Sequence, residues 1–196
     1  MRPLLFLLFA VFIIAFDQFS KWYVLEQVLR PQMEPPAQEN AQTDSIPAQF
    51  INWYKTPPRT IGPAEMTVIP NFNIVSVWNK GVSFGMFNKA SDKGPMILIG
   101  ISLAISLLFL IWLFRRPDNM QSAGIVMVIG GALGNVIDRL RFGAVFDFLD
   151  FHAFDYHWPA FNIADSGIVL GVAVLVIHSF LYERKNFEDK HREFPR

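Results

Sequence analysis

Four long apolar runs constrain this chain more than any other feature. Residues 4–16 read LLFLLFAVFIIAF, and the run extends through Leu25. A second, MILIGISLAISLLFLIWLF, follows Pro95, a third runs from about Ser122 to Leu140, and a fourth from about Phe161 to Tyr182. Roughly 20 residues at about 1.5 Å each cross the hydrocarbon of a bilayer. Lipid offers backbone groups no hydrogen-bond partner, so such runs must be helices. The first run alone would suit a signal peptide, but no small-x-small cleavage site follows it. The composition agrees, with 52% hydrophobic residues and a mean hydropathy of +0.30. A formal net charge of zero leaves no basic footprint for nucleic acid, and the absence of cysteine excludes disulfide and thiolate chemistry.

The expected architecture is an all-α membrane protein with a small β element, one domain over residues 1–196 with no internal repeat. Its spans are placed at about 4–25, 95–114, 122–140 and 161–182, with a charged tail at 183–196. Between the first two spans lies an extramembrane insertion at about 27–66. It is rich in Pro, Gln and Asn at first and in aromatics later, and it is read as partly mobile, so that deleting about 34–62 should leave the membrane domain folded. A β element is expected at about 67–90, where FNIVSVW has strand propensity and Asn79-Lys80-Gly81 looks like the turn into VSFGMF. Asn79 and Gly81 fit either turn chemistry or contact with a substrate backbone. Residues 144–159 are taken as a helix or loop outside the membrane. Arg2, Arg115, Arg116, Arg184 and Lys185 place both termini and the loop between the second and third spans on the cytoplasmic side, by a small margin.

Polar residues inside membrane helices are tolerated where they work or are paired. Asp17 and Lys21 are four apart and share a helix face; they fit an internal pair, or a helix end with Lys21 reaching the interface. The richest stretch is GGALGNVIDRLRFGAVFDFLDF, Gly130 to Phe151. Gly130 and Gly134 form a small-xxx-small pair. Gly131, Asn135 and Asp138 fall on one face, with Arg139 beside them. Asp138 and Arg139 fit a packing pair as well as a functional one. Gly143 ends this helix, and Asp147 follows among Val145, Phe146, Phe148 and Leu149, a setting that should push its pKa up. Asn162 can cap the last helix, with Asp165 in its first turn, where the helix N-terminus favours a charged carboxylate. Two aspartates in opposed environments fit an acid/base pair sharing a water, and fit a proton relay or transporter equally well. No metal is expected: His152 and His157 lie five apart, the wrong interval for two ligands on one helix face.

Five blocks, in order, resemble the lipoprotein signal peptidase (signal peptidase II) family of bacterial aspartyl intramembrane proteases. They are Asp17-Gln-Phe-Ser-Lys21, Asn79-Lys-Gly81-Val-Ser-Phe84-Gly85, Gly130 through Arg139, Val145-Phe-Asp147 and Phe161-Asn-Ile-Ala-Asp165. The resemblance spans nearly the whole chain except about 27–66 and the last dozen residues. It implies a four-transmembrane-helix bundle, an extramembrane β-cradle and a short periplasmic helix. It further implies that Asp147 and Asp165 are the catalytic dyad. Asn135, Asn162 and Arg139 would bind substrate or orient the dyad, with Asp17, Lys21, Asn79, Gly81 and Asp138 in support. The implied substrate is a prolipoprotein signal peptide whose lipobox cysteine carries diacylglycerol, cut just before that cysteine. No cofactor is implied. The remaining expectations are a monomer in contact with membrane lipid, in the bacterial inner membrane, its site facing the periplasm. The long insertion departs from the family pattern. Rival expectations are a small transporter or proton-relay protein, and an assembly factor that kept the fold without activity.

Overall fold

The computed structural model describes residues 2–33, 45–81, 94–115, 117–154 and 156–193. Four helices are long and apolar enough to cross a membrane: Pro3–Met33, Gly94–Phe114, Asn119–Phe142 and Ile163–Tyr182. The chain is a multi-pass membrane protein. The first span is longer than the sequence reading has it. Helix α1 (Arg2–Trp22) runs on through a wider π-helical stretch, Tyr23–Leu29, into the short α2 (Arg30–Met33). The stretch buries Val24, Leu25 and Leu29. The remaining spans are α4 (Gly94–Phe114), α5 (Asn119–Phe142) and the start of α6 (Ile163–Glu193).

Helix α5 is the centre of the bundle. About 67% of its apolar window is buried, against 22% for the first span and 17% for α4 and α6. The outer helices show lipid their Leu, Ile, Val and Phe side chains, such as Leu8, Leu107 and Val169. Close approach of α5 to its neighbours depends on missing side chains. A Cβ on Gly131 would stand 2.2 Å from the Ala164 carbonyl oxygen of α6, and one on Gly134 would stand 2.8 Å from Asp17 Oδ2 of α1. The glycine run therefore does more than one small-xxx-small contact: Gly130 meets Ala10 and Ile13 of α1, whereas Gly131 meets α6.

Outside the membrane, β1 (Glu65–Ile69), β2 (Phe72–Asn79), β3 (Val145–Ala153) and β4 (Tyr156–His157) form one antiparallel sheet in that order. This corrects two expectations. Residues 145–153 are a strand, not a helix or loop, because VFDFLD, residues 145–150, is covered on both faces and shows no alternation. Strand β2 pairs with β1 across a turn at Pro70-Asn71 and with β3 on its other side, register Asn79↔Val145 and Phe72↔Phe151. The turn that makes its hairpin therefore precedes β2 instead of following it at Asn79-Lys80-Gly81. The VSFGMF segment, residues 82–87, lies outside the described residues, as does 34–44 of the insertion.

The rest of the insertion is not a loose appendage. Ser45 precedes α3 (Ile46–Lys55), a short helix outside the four spans. Its Trp53, with Ile61, joins Trp22, Leu25, Leu29, Phe146 and Phe148 in one core cluster. Arg141 stacks over the Trp53 ring at 3.7 Å and donates from Nη2 to the Trp53 carbonyl at 2.7 Å. Trp78 Nε1 donates to the Ile61 carbonyl at 3.0 Å. These contacts tie residues 45–61 to the core and weigh against the expectation that about 34–62 can be deleted freely.

Candidate active site

The start of α6 sets one half of the site. Asn162 caps the helix: its Oδ1 accepts from the Asp165 N–H at 3.0 Å, and Asp165 Oδ2 accepts in return from the Asn162 N–H at 3.2 Å. This is a reciprocal capping box built from Asn and Asp. It fixes the Asp165 carboxylate at the helix mouth, where Asn135 Nδ2 of α5 donates to its other oxygen at 2.8 Å.

Strand β3 sets the other half. Its pairing to the chain just before the cap is direct. Phe161 N–H donates to the Leu149 carbonyl at 3.1 Å, and Leu149 N–H returns the bond to the Phe161 carbonyl at 2.9 Å. That bridge holds Asp147 beside Asn162, whose Nδ2 donates to Asp147 Oδ1 at 2.7 Å. Asn79 Nδ2, on β2, donates to Asp147 Oδ2 at 3.0 Å. Asn79 is itself aimed by a turn, its Oδ1 accepting from the Gly81 N–H at 2.7 Å, with Gly81 at φ +78. Asn162 thus touches both aspartates with opposite ends of one amide. Burial pushes the Asp147 carboxyl up to about 7, and the negative charge of Asp165 adds to the rise.

Beneath the pair lies a closed polar network. Lys21 Nζ is 2.8 Å from Asp17 Oδ2 and 2.9 Å from Asp138 Oδ2, with all three side chains at most 2% exposed. Asp17 Oδ1 accepts from the Ala164 N–H at 2.8 Å, an orphan donor of the α6 N-terminus. Asp138 Oδ2 accepts from the Phe146 N–H at 3.1 Å, one residue before Asp147. Lys21 therefore fastens α1, α5, α6 and β3 together, and the reading of Lys21 as an interface residue gives way to that of an internal pair. Asp138 pairs with Lys21, while Arg139 donates, among the described residues, from Nη1 to the Asn135 carbonyl at 3.4 Å. Its Nε is buried with no partner among the described residues.

All ten residues singled out from the sequence fall in or around this cluster. Two were missed. Gln18 Nε2 donates to Asp138 Oδ1 at 2.8 Å, and Tyr54, from the insertion, donates its hydroxyl to Gln18 Oε1 at 2.5 Å. Burial pushes the Tyr54 hydroxyl up to about 12, so it remains a donor. Gln18 carries a signal of its own, an uncharged amide inside an apolar span. Tyr54 carries none, since aromatics in a Pro-rich insertion have no periodicity. On the opposite face of β3, Asp150, His152 and His157 bring their ligand atoms within 4.8 Å of one another.

The family description "Signal peptidase (SPase) II" matches residues 9–181. A lipoprotein signal peptidase of Syntrophotalea carbinolica is 47% identical over 116 residues, which is 57% of this chain and 71% of that protein. One of Anaplasma marginale is 40% identical over 139 residues, 70% of this chain and 77% of that protein. A bacterial membrane enzyme solved by the in meso method at 2.3 Å superposes with a TM-score of 0.62 at 28% identity, covering 94% of this chain and 90% of that one.

Proposed function

The chain belongs to the signal peptidase (SPase) II family, and from that premise we propose that it is an aspartic endopeptidase with Asp147 and Asp165 as its dyad. It is a membrane protease, and its family removes signal peptides from prolipoproteins. The observation that supports the aspartic reading is Asn162, which donates to the Asp147 carboxylate from its side-chain Nδ2 and to the Asp165 carboxylate from its backbone N–H. Both acids are thereby tied to one residue at the mouth of α6.

The dyad divides the work. Asp147, with a pKa of about 7, holds the proton at rest. Asp165 is the base that takes a proton from a water held between them. The water oxygen attacks the scissile carbonyl while Asp147 gives its proton to the carbonyl oxygen. As the tetrahedral adduct collapses, Asp165 passes its proton to the leaving nitrogen and Asp147 recovers one from the adduct hydroxyl. Atoms and protons balance, and no cofactor enters. The buried, unpartnered Nε of Arg139 is a donor for a substrate carbonyl. Asn79, Asn135 and Asn162 orient the dyad, and Asp17, Lys21 and Asp138 hold its frame. Gly81 supports Asn79 through its positive φ and by packing against Leu98, whose Cδ1 would stand 2.0 Å from an added Cβ.

The substrate under this reading is a prolipoprotein signal peptide with a diacylglyceryl cysteine, cut on the N-terminal side of that cysteine. A monomer in contact with membrane lipid acts from the inner membrane, with both termini cytoplasmic and the site at the outer face. Asp147→Asn and Asp165→Asn are each expected to abolish cleavage of a lipidated precursor by purified protein, while melting near or above the wild type. Normal cleavage by either variant would remove that residue from the dyad. Cleavage rate against pH should be bell-shaped, with its alkaline limb near pH 7, where Asp147 loses its proton. A rate still rising past pH 9 would overturn the shared-proton dyad, since no carboxylic acid proton would then be needed.

A further inference from the structure

We propose that Asp150, His152 and His157 form a binding site for one divalent transition ion of the zinc class, on the face of the sheet turned away from the dyad. The set arises from the strand pattern. Asp150 and His152 are two apart on β3, so their side chains project from the same face, while Asp147 is on the other. His157 on β4 is the direct cross-strand partner of His152. The five-residue interval that argues against a helical site is here the span of a hairpin.

The donor geometry is close to that of an ion's first shell. His157 Nδ1 lies 2.9 Å from Asp150 Oδ2, and His152 Nδ1 lies 3.9 Å from the same oxygen. Tetrahedral ligands at about 2.0–2.1 Å from zinc stand about 3.3 Å apart, so both distances change by roughly half an ångström on binding. The two imidazoles already face each other at 4.7 Å between ring centres. His152 Nδ1 is buried and has no hydrogen-bond partner among the described residues. An imidazole nitrogen left bare in that way is available to an ion. Asp150 is 6% exposed and is oriented by Asn73 Nδ2 at 3.2 Å, which also donates to Glu65 Oε1 at 2.9 Å. Outer-shell bonds of this kind aim a metal-binding carboxylate. His157 is half exposed and leaves an entry path and a fourth position for water. Two imidazoles and a carboxylate select zinc, cobalt, nickel or copper over magnesium or calcium, which prefer oxygen alone.

The ion would close the β3–β4 hairpin, whose two ends lead to Asp147 on one side and to the Asn162 cap on the other. It is a staple on the frame and takes no part in the cleavage step.

The test uses full-length protein purified in detergent through a tag without histidine and stripped with chelator. Equilibrium dialysis against zinc should give one ion per chain, and cobalt should develop the visible absorption bands of a low-symmetry His-carboxylate site. The double variant His152→Ala/His157→Ala should lose both. His157→Gln, at an exposed position that threatens the fold least, should bind at least about tenfold more weakly. Less than half an ion per chain in the wild type, or equal stoichiometry and affinity in the folded double variant, would overturn the site.

Discussion

At the scale of single residues, the proposed chemistry of this protein rests on one buried acid. Asp147 titrates near 7 because strand β3 takes it out of water, with the charge of Asp165 as the second cause. An aspartate in an unfolded chain titrates near 3.9. Between about pH 4 and about pH 7, the folded state holds a proton that the unfolded state has shed. Stability therefore falls as pH rises through that window and is flat above it. Asp147→Asn has no proton to lose. Its stability relative to wild type should grow from about pH 4 and level off above about pH 7, by at most about 4 kcal/mol at 1.36 kcal/mol per pH unit. Melting curves in detergent from pH 4 to 9 measure the difference, and parallel curves for the two proteins would refute the shift. Asp147 and Asp165 are legible from sequence because each is a carboxylate in a setting that opposes or favours charge. Tyr54 is not, and neither is the Asp150–His152–His157 set, since a histidine's neighbours depend on whether its interval is read along a helix or across a hairpin.

At the scale of elements, the helices are legible from length and apolarity, but their mutual approach is not. That approach is decided by Gly131. A Cβ there would meet the Ala164 carbonyl oxygen at 2.2 Å and Ile168 Cγ1 at 2.8 Å. Ile168 can rotate, but the Ala164 carbonyl belongs to the first turn of α6, the turn that carries Asp165. Gly131→Ala must push that turn outward. Overpacking of this kind costs about 1–3 kcal/mol, and a displacement of about 1 Å at a catalytic group can cost a hundredfold in rate. Gly131→Ala is expected to lower Tm and to slow cleavage by at least about tenfold. Gly100→Ala, where nothing lies within 4 Å, should leave both near wild type. Equal behaviour of the two variants would mean that α5 and α6 are not in the contact described. Strand β3 carries no periodic signal in its sequence. Its two faces are both covered, one by the dyad's partners and the other by Phe146, Phe148 and their cluster, so the period of two disappears.

At the scale of the whole molecule, the site is assembled from five separate parts of the chain. Asp17 and Ala164 are bonded across 147 residues of sequence. Such a site depends on whatever holds its parts in register, and the insertion is one of those supports. Helix α3 lays Trp53 into the cluster that backs β3, clamps Arg141 of α5 by its ring and carbonyl, and reaches through Tyr54 to Gln18 and thence to Asp138. Asp138 in turn holds the backbone beside Asp147. Removal of residues 45–61 would uncover the cluster and strip Trp78 Nε1 and Arg141 of their carbonyl partners. Deletion of that segment, bridged by a Gly/Ser linker, is expected to lower Tm sharply or to prevent recovery of a monodisperse protein in detergent. Trp53→Ala separates packing from the polar chain: truncation of a buried Trp costs about 3–5 kcal/mol. Tyr54→Phe removes only the hydroxyl and should cost about 1 kcal/mol. If the insertion acts on the site as well as on stability, Tyr54→Phe should also reduce the rate of cleavage at temperatures where the protein is fully folded. An unchanged rate together with a lowered Tm would confine the insertion to a structural role. An unchanged Tm for Trp53→Ala would remove α3 from the core altogether.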